Sequence, residues 1–324
     1  MKVGIIGAGL IGEKRAKSIL ANGDQVVLIS DTNISKAKIL SQMVKGSTVA
    51  NNNEIFEDNE IECIVIATTH NHLTKLSYRA LSFGKHVLCE KPLGFNSVEI
   101  KKCVSLALKK NLIYKAGYNH RFHPAINQAK ELFDKGKIGK LMYIRGVYGH
   151  GGRPGYEMEW RMDKKISGGG ELIDQCAHLI DLSLWFMKDI PKDISAKIKT
   201  FFWPIKVEDN AFVLLKNKTS IATLHASWTE WKNKFRYEIF GTKGYLIIDG
   251  LGGSYGLEKL IVGKRIPGKA PKEIVREYDG LDKSWSLEWL NFKNSIKNHS
   301  KLIGSGQEGL DVLRIISKIY YKLE

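Results

Sequence analysis

Cysteine is scarce in this sequence, and the spacing of the few thiols excludes two kinds of scaffold. The 324 residues include 4 cysteines, which lie far apart and form no Cys-x-x-Cys pair. Neither a zinc site nor a disulfide framework is therefore expected, and we expect no bound metal. Reduced thiols in a cytoplasmic protein are the simplest interpretation.

Long hydrophobic runs are also missing. No apolar segment approaches the roughly 18–20 residues that a membrane-spanning helix requires. The N-terminal stretch MKVGIIGAGLIGEKRAKSIL has a short apolar run, but charged residues follow at once and no small-residue cleavage site is present. This pattern favours a buried strand over a signal peptide, so we expect a cytoplasmic protein with no membrane partner.

Acidic residues are outnumbered by basic ones, 34 against 50, which gives a net charge of +16. Such an excess suits nucleic acid, an anionic membrane surface, an anionic small substrate or simply a solvated lysine-rich surface. The lysines are scattered, with no block of five or more, and no nucleic-acid-binding module is recognisable. We therefore expect no nucleic-acid partner.

The hydrophobic pattern predicts two domains in a chain that is too long for a single core. Residues 1–120 alternate short β-branched runs with segments of helical spacing, which predicts βαβ units on a doubly wound parallel sheet. Residues 121–324 show a different hydrophobic pattern, which predicts helices at 123–136 and 170–187 and a strand at 141–150. Several alternating runs follow, separated by turn signals, and they predict an α+β domain with an antiparallel sheet.

A glycine motif follows the first predicted strand and opens the first predicted helix. The sequence GIIGAGLIGEKRA has the spacing of a dinucleotide-binding fingerprint in the required strand–helix context. Gly7 permits a tight turn, Gly9 lets the backbone approach a pyrophosphate at the helix N-terminus, and Gly12 lets the helix pack on the strand. A purely structural glycine turn is the alternative. The candidate coenzyme contacts in this loop are Gly7, Ala8, Gly9, Leu10, Ile11 and Gly12.

Asp31 ends the second predicted strand and indicates which dinucleotide is bound. A carboxylate there accepts hydrogen bonds from the ribose hydroxyls and repels a 2′-phosphate, so the sequence favours NAD over NADP. Lys36 and Lys38 lie nearby and keep NADP as an alternative.

The sequence CEKPLGF places Glu90 and Lys91 at the carboxyl end of a predicted parallel strand. Ligands of open α/β sheets bind at that edge, so Lys91 is a candidate functional residue that Glu90 can pair with or orient. A surface lysine before a turn is the alternative.

The sequence GGGELIDQCAHLIDL, at 168–182, combines a glycine run with Asp174, His178 and Asp181. Residues three and four apart share one helix face, so a carboxylate and an imidazole are predicted to lie together. Asp181 is expected to be structural. Helix capping and a buried, hydrogen-bonded histidine are the alternative for the other two.

Taken in order, the GxGxxG, Glu-Lys-Pro, GYNHRF (117–122) and GGGELIDQCAH motifs resemble those of the glucose–fructose oxidoreductase and inositol dehydrogenase family, the Gfo/Idh/MocA type. The resemblance covers essentially the whole chain. It implies a Rossmann domain followed by a domain with a large, mostly antiparallel sheet. It also implies NAD(P)-dependent oxidation of a secondary alcohol on a sugar-like substrate, and a homodimer or homotetramer.

The resemblance assigns Lys91, Asp174 and His178 to the reaction centre. Oxidation of a secondary alcohol removes a proton from oxygen as hydride leaves carbon, and histidine has a suitable pKa for the proton. Asp174 would orient the imidazole or bind the same hydroxyl, and Lys91 would stabilise the developing alkoxide or relay the proton.

The segment ATTHNHL departs from the usual family pattern of Ala-Thr-Pro-Asn followed by a histidine. Thr69 replaces the proline, His70 replaces the asparagine, and Leu73 stands at the usual histidine. Thr68, Thr69 and His70 are still predicted to contact the coenzyme. The other predicted coenzyme contacts are Glu90, Lys91 and Asn119.

The segment 145–165 carries basic and aromatic residues just before the glycine run, where substrate recognition is expected. Arginine suits phosphate and aromatic rings suit a base or a sugar face, so an anionic nucleotide sugar is favoured over inositol or a free sugar. Contact with a neighbouring subunit is the alternative for this loop. Arg121 of GYNHRF is either structural or a substrate contact. The predicted substrate contacts are Lys91, Arg121, Arg153, Trp160, Arg161, Asp174 and His178.

Two other functions compete with a dehydrogenase. An NAD-dependent glycoside hydrolase would oxidise one sugar carbon transiently and regenerate its NAD. A non-catalytic NAD-binding regulator would have no chemical need for Lys91, Asp174 and His178 together, and their presence argues against it.

Overall fold

The structure is a computed structural model that describes residues 1–45 and 47–323. The chain separates into two compact units. The first comprises Met1–Asn119 and Trp285–Leu313, and the second comprises His120–Ser284 and the residues from Arg314 onward. The assignment of 1–120 and 121–324 as functional domains stays a prediction.

The first unit contains a six-stranded parallel sheet. Its elements are β1 (Lys2–Ile6), α1 (Leu10–Ala21), β2 (Gln25–Ser30), α2 (Ile34–Met43), β3 (Thr48–Val49), α3 (Asn52–Glu57), β4 (Cys63–Ile66), α4 (His70–Ser82), β5 (His86–Glu90), α5 (Ser97–Lys109) and β6 (Tyr114–Gly117). The strand order is β3-β2-β1-β4-β5-β6, so the chain reverses direction across the sheet between β1 and β4. This confirms the predicted doubly wound Rossmann sheet, whose ligands bind at the carboxyl ends of the strands near that reversal.

The second unit is built on an eight-stranded sheet. Its elements are α6 (Pro124–Asp134), β7 (Leu141–Gly149), α7 (Lys164–Ser167), α8 (Cys176–Met187), β8 (Asp193–Lys199), β9 (Asn210–Lys216), β10 (Ile221–Ser227), β11 (Lys234–Gly241), β12 (Gly244–Asp249), β13 (Lys259–Lys264) and β14 (Lys272–Glu277). The order is β14-β13-β12-β11-β7-β10-β9-β8, with β7 and β10 parallel and the other pairs antiparallel. This confirms the large, mostly antiparallel sheet. Helix α8 packs on β7 and β10.

Two further helices, α9 (Ser284–Lys297) and α10 (Gly306–Leu323), end the described chain. Trp289 and Phe292 of α9 join the core of the first unit, where Val3, Ile5 and Val65 are fully buried. The indole N–H of Trp289 donates to Asp24 Oδ2 at 2.8 Å. A helix from the far end of the sequence therefore completes the Rossmann unit.

The helix predicted at 170–187 begins only at Cys176, because residues 171–175 form turns. Glycine resists helix formation. The N–H groups of Gly170 and Leu172 donate instead to Glu208 Oε1, at 3.0 and 3.1 Å. The predicted N-terminal end of this helix is therefore wrong, and Asp174 precedes the helix that carries His178.

The segment 48–57 forms β3 and α3, which its hydrophobic pattern does not predict. Strand β3 has only two residues, and α3 has six. Helix α3 begins because the side chain of Asn51 accepts from the N–H groups of Asn53 and Glu54, at 2.8 and 3.1 Å. Such an asparagine cap satisfies backbone donors that no helical carbonyl reaches.

The cysteine thiols are buried and form no disulfide in the described residues. Burial raises the pKa of Cys63, Cys89 and Cys176 above the ordinary range, so these thiols stay protonated at neutral pH. Across residues 1–45 and 47–323, no helix combines the length and apolar character needed to cross a membrane.

Candidate active site

The glycine loop of the first unit joins β1 to α1, and two of its glycines are required by close packing. Gly7 has φ +106°, and a Cβ there would lie 2.3 Å from the carbonyl oxygen of Ala67. A Cβ on Gly12 would lie 2.0 Å from the carbonyl oxygen of Gly7. At Gly9 a Cβ would meet nothing within 4 Å, so the protein's own packing leaves open space at this position.

The N-terminus of α1 and the end of β2 fit the two anchoring groups of a dinucleotide. Gly9 caps α1 without a side chain, which leaves the helix N-terminus to an anion such as a pyrophosphate. Asp31 is half-buried, and its carboxylate accepts from the N–H of Ala8 and of Asn33, each at 2.7 Å. Of the other predicted loop contacts, Leu10 is 70% exposed and Ile11 is half-buried.

The segment that follows β4 lies beside this loop, because Gly7 packs against Ala67. Thr69 caps α4 with extended backbone, and His70 is the first, buried residue of that helix. Thr68 precedes them at the carboxyl end of the sheet. All three predicted contacts therefore follow the strand next to β1 in the first unit.

Glu90 ends β5 and is bound by Arg15 of α1. Arg15 Nε donates to Glu90 Oε1 at 2.7 Å, and Arg15 Nη1 donates to Glu288 Oε2 of α9 at 2.5 Å. Lys115 Nζ lies 3.6 Å from Glu288 Oε1. Burial raises the pKa of Glu90, while the Arg15 guanidinium acts in the opposite direction. This buried charge network holds the strand end from which half-buried Lys91 extends.

Asn119 and Arg121 lie on the short 3₁₀ helix that follows β6. Asn119 is buried in the first unit. Arg121 belongs to the second unit, is 1% exposed, and binds both oxygens of Asp181 at 2.8 and 2.7 Å. Its guanidinium also lies 5.1 Å from the ring centroid of Trp185. This placement favours a structural role for both Arg121 and Asp181.

The glycine run before α8 is held by Glu208 and Tyr320. Besides the two backbone N–H groups, Glu208 Oε1 accepts from the hydroxyl of Tyr320 at 2.6 Å. A Cβ on Gly169 would lie 2.0 Å from the Tyr320 hydroxyl, and one on Gly170 would lie 2.1 Å from the Glu208 carbonyl oxygen. The glycines are therefore required because the turn is packed against these two residues, not because it is loose.

Asp174 and His178 are buried on either side of the start of α8, with 9% and 5% of their surfaces exposed. The Asp174 N–H donates to the carbonyl of Gly170, which ties it to the glycine run. Arg161 Nε lies 3.2 Å from Asp174 Oδ2. Burial lowers the pKa of Arg161, but Asp174, Tyr156 and Glu159 outweigh it and hold the pKa above its ordinary value. The carboxylate of Asp174 thus lies against a permanent cation.

The His178 ring packs among other rings of the second unit. It stacks on His120 with centroids 3.7 Å apart, and its centroid lies 6.2 Å from that of Tyr148. A face covered in this way leaves the ring edge as the direction for hydrogen bonding. Asp174 and His178 are therefore both buried at the start of α8 in the second unit.

Two family models match most of the chain, and solved structures share its fold. Residues 1–118 match the model of the oxidoreductase family with NAD-binding Rossmann fold, and residues 126–247 match the Gfo/Idh/MocA C-terminal domain. The chain belongs to the Gfo/Idh/MocA family. This confirms the resemblance seen in the sequence, and NAD is the coenzyme of the family's Rossmann domain.

Several named relatives are dehydrogenases of sugar-like compounds. Levoglucosan dehydrogenase of Pseudarthrobacter phenanthrenivorans is 25% identical over 223 residues, which span 60% of this chain and 57% of that protein. Glucose-6-phosphate 3-dehydrogenase of Bacillus subtilis is 25% identical over 351 residues, spanning 99% of this chain and 96% of that protein. The structure of levoglucosan dehydrogenase with NADH and levoglucosan superposes with a TM-score of 0.89 at 22% identity, covering 99% of this chain and 96% of that one.

The arginines of the basic segment 145–165 lie beside carboxylates. Arg145 Nε pairs with Glu238 at 2.6 Å. Arg153 pairs with Glu159, which Arg161 also contacts at 3.2 Å. Trp160 is half-buried, and the Arg161 guanidinium lies 4.6 Å from its ring centroid. Each of these three arginines therefore pairs with a carboxylate, and Arg153 is still exposed to solvent.

The sequence motifs do not reveal three residues that contact the predicted site residues or the glycine run before them. His120 was visible within GYNHRF, but nothing in that motif shows that it stacks on His178. Glu208 and Tyr320 belong to no motif, and only the fold brings them to the glycine run.

Proposed function

We propose that the protein is an NAD-dependent oxidoreductase that transfers hydride between a secondary hydroxyl of a sugar-like substrate and nicotinamide. The observation that carries this proposal is the buried Asp174–His178 pair, on a chain whose other unit has the NAD-binding loop. The dehydrogenases of levoglucosan and of glucose 6-phosphate among its relatives support it.

His178 is the base in this proposal. When bound, the nicotinamide supplies the hydride acceptor. The substrate O–H bond breaks as His178 takes the proton, the electron pair of that bond forms the C=O bond, and the electrons of the adjacent C–H bond leave with the hydride. Asp174, held by Arg161 at 3.2 Å, orients the imidazole or the substrate hydroxyl. Lys91 stabilises the developing alkoxide or relays the proton.

Asp31 is the basis for preferring NAD over NADP. Both of its carboxylate oxygens already accept backbone N–H groups at 2.7 Å, which fixes the charge at the end of β2. Each oxygen keeps a further lone pair for a ribose hydroxyl. A 2′-phosphate placed at this carboxylate would be repelled.

The substrate class is the finer part of the proposal. The preference for an anionic nucleotide sugar rests on exposed basic residues of segment 145–165, among them Arg153, Lys164 and Lys165. An anionic substrate bound there should show a KM that rises with ionic strength, because salt screens exposed charges. A KM independent of salt, with efficient turnover of inositol or a free sugar, would favour a neutral substrate.

The assembly is proposed to be a homodimer or homotetramer. The sheet of the second unit exposes apolar residues on the side away from α8, among them Phe212, Leu214 and Ile221, which are 44%, 38% and 39% exposed. Apolar surface on a sheet face is typical of an interface. A single monomeric species in light scattering at micromolar protein concentration would contradict this part.

The deciding experiment is an NADH-formation screen over nucleotide sugars, inositols and free sugars. Net NADH with an oxidised sugar supports a dehydrogenase, whereas glycoside cleavage without net NADH would indicate the hydrolase. His178→Ala should lower kcat by about 10²–10⁴-fold and leave the Kd for NAD nearly unchanged. An unchanged kcat would remove His178 from the chemistry.

A further inference from the structure

The second unit holds two imidazole rings in direct contact. The rings of His178 and His120 are stacked, with centroids 3.7 Å apart and an interplanar angle of 23°. Each residue is only 5% exposed. Two imidazole side chains therefore share one buried site, although only one of them is the proposed base.

Aromatic rings hold the stack from other directions. The centroid of Tyr148 on β7 lies 5.2 Å from that of His120, and the centroid of Phe235 on β11 lies 5.9 Å from it. The ring of His123, at the start of α6, meets His120 edge-on at 5.6 Å. These contacts leave the imidazole planes little freedom to rotate.

Charged and titratable groups approach the pair from several elements of the second unit. The groups around the pair are Tyr148 from β7, Asp174 and Glu171 from the turn before α8, Tyr255 from the loop after β12, and His123 with Glu258 beside α6. Burial raises the pKa of Tyr148 and of Tyr255, so both phenols stay neutral at neutral pH. Glu258 lies 3.0 Å from His123, and Asp174 lies against Arg161.

An isolated imidazole takes up a proton at a pKa of about 6.5. Two imidazolium charges stacked at 3.7 Å in a buried site would repel each other strongly. Two sites coupled in this way titrate as a pair, with the second proton entering at a distinctly lower pH than the first.

We propose that His120 is a positioning residue for His178, and that the two stacked rings hold at most one proton between them across the neutral range. The first part follows from the stack, which fixes the plane of the His178 ring. The second follows from charge repulsion at this spacing. The inference rests on the proposed function, in which His178 accepts the proton of the substrate hydroxyl.

The stack has a defined consequence for the proton transfer. Because His120 covers one face of His178, the substrate oxygen approaches the edge of the ring, in the plane of its nitrogens. The O–H bond breaks, the N–H bond on His178 forms, and His120 stays neutral. A proton already on His120 would oppose this transfer, so the reaction requires the pair to begin unprotonated.

Histidine-labelled protein tests the proton sharing without any substrate. Imidazole signals are assigned by their loss in His120→Phe and His178→Gln, and each ring is followed through pH 4.5–9 by NMR (about two units either side of the free imidazole pKa). In wild type both rings should report two steps separated by at least about one pH unit. In His120→Phe, which keeps an aromatic ring, His178 should titrate in a single step. If each wild-type ring shows one independent step, that unmodified protein alone overturns the sharing, whether or not the variant folds.

Kinetics with the best substrate of the NADH screen test the positioning. His120→Ala should lower kcat by up to about 100-fold, because it removes the surface that orients the base. His120→Phe should recover most of that loss while moving the acid limb of the kcat/KM profile, and the KM for NAD should not change in either. A His120→Ala enzyme with wild-type kcat, or a His120→Phe enzyme with a wild-type pH profile, would overturn the proposal.

His225→Ala is the matched control. Its ring stacks on Phe212 with centroids 4.1 Å apart and an angle of 10°. His225 pairs with Val147, so it faces away from the side of the sheet on which Tyr148 meets His178. It should keep wild-type kcat. If no substrate reduces NAD in the screen, the proposed function fails, and the NMR titration still decides whether the two rings share a proton.

Discussion

Replacement of Glu208 tests whether one buried carboxylate holds the turn that carries Asp174. Its Oε1 atom accepts from the N–H groups of Gly170 and Leu172 and from the hydroxyl of Tyr320, at 3.0, 3.1 and 2.6 Å. Glu208→Ala leaves these three buried donors without their acceptor. At about 1–3 kcal/mol for each unsatisfied donor, the free energy of unfolding should fall by at least about 3 kcal/mol. Because the Asp174 N–H donates to the Gly170 carbonyl, a disturbed turn should displace Asp174 and lower kcat as well.

Glu208→Gln separates the hydrogen bonds from the charge. The amide oxygen can still accept, so this variant should lose only about 1 kcal/mol and keep most of kcat. Burial raises the pKa of Glu208 in the folded protein. A raised folded pKa means that the contribution of this group to stability is full below the unfolded carboxyl pKa of about 4.3 and declines as pH rises through the folded pKa. The glutamine variant lacks this decline, so its stability relative to wild type should improve with rising pH.

Urea unfolding followed by tryptophan fluorescence measures both effects, together with kcat from the NADH assay. Tyr320→Phe removes one of the three donors, and Tyr321→Phe is its matched control because Tyr321 is 83% exposed on the same helix. The reasoning is wrong if Glu208→Ala unfolds at the wild-type urea concentration and turns over at the wild-type rate.

Gly170→Ala should push its new Cβ against the Glu208 carbonyl oxygen, 2.1 Å away. The free energy of unfolding in urea should fall by about 1–3 kcal/mol. The variant should also have a lower kcat and an unchanged Kd for NAD. Asp181→Asn should cost about 3–5 kcal/mol, because it leaves the Arg121 charge buried without its carboxylate; a raised KM at wild-type stability would instead make Arg121 a substrate contact. Asp31→Ser should weaken NAD binding by about 10–100-fold in fluorescence titration, as expected for loss of charged hydrogen bonds, while NADP binding changes less. Equal loss for both dinucleotides would show that Asp31 does not select between them.

The sequence predicts structure best where the contacts join residues that are close together along the chain. The glycine motif predicts its own turn, because the contact between Gly12 and Gly7 lies within one strand–helix connection. The strands of the second unit follow from their alternation. The place of β7 between β11 and β10 does not, because that pairing joins segments far apart in sequence and no local pattern encodes it.

The glycine run shows where local reasoning ends. Its pattern indicates a site, and the structure shows a packing reason for the glycines. Gly169 and Gly170 must be glycine because Tyr320 and the backbone of Glu208 occupy the space that a Cβ would need. A sequence can show that a position lacks a side chain, but it cannot show which distant residue requires that lack.

The residues that brace the two predicted motifs come from helices that carry no motif. Helix α9 supplies Glu288 to Arg15, which in turn holds Glu90 beside Lys91. Helix α10 supplies Tyr320 to Glu208, which holds the turn before Asp174. A reacting group needs a particular chemistry at a particular spacing, so it leaves a recognisable pattern. A bracing group needs only one polar atom in the right place, and any segment that the topology returns there can provide it. For this reason the proposed reacting residues stand out in the sequence, and the residues that hold them do not.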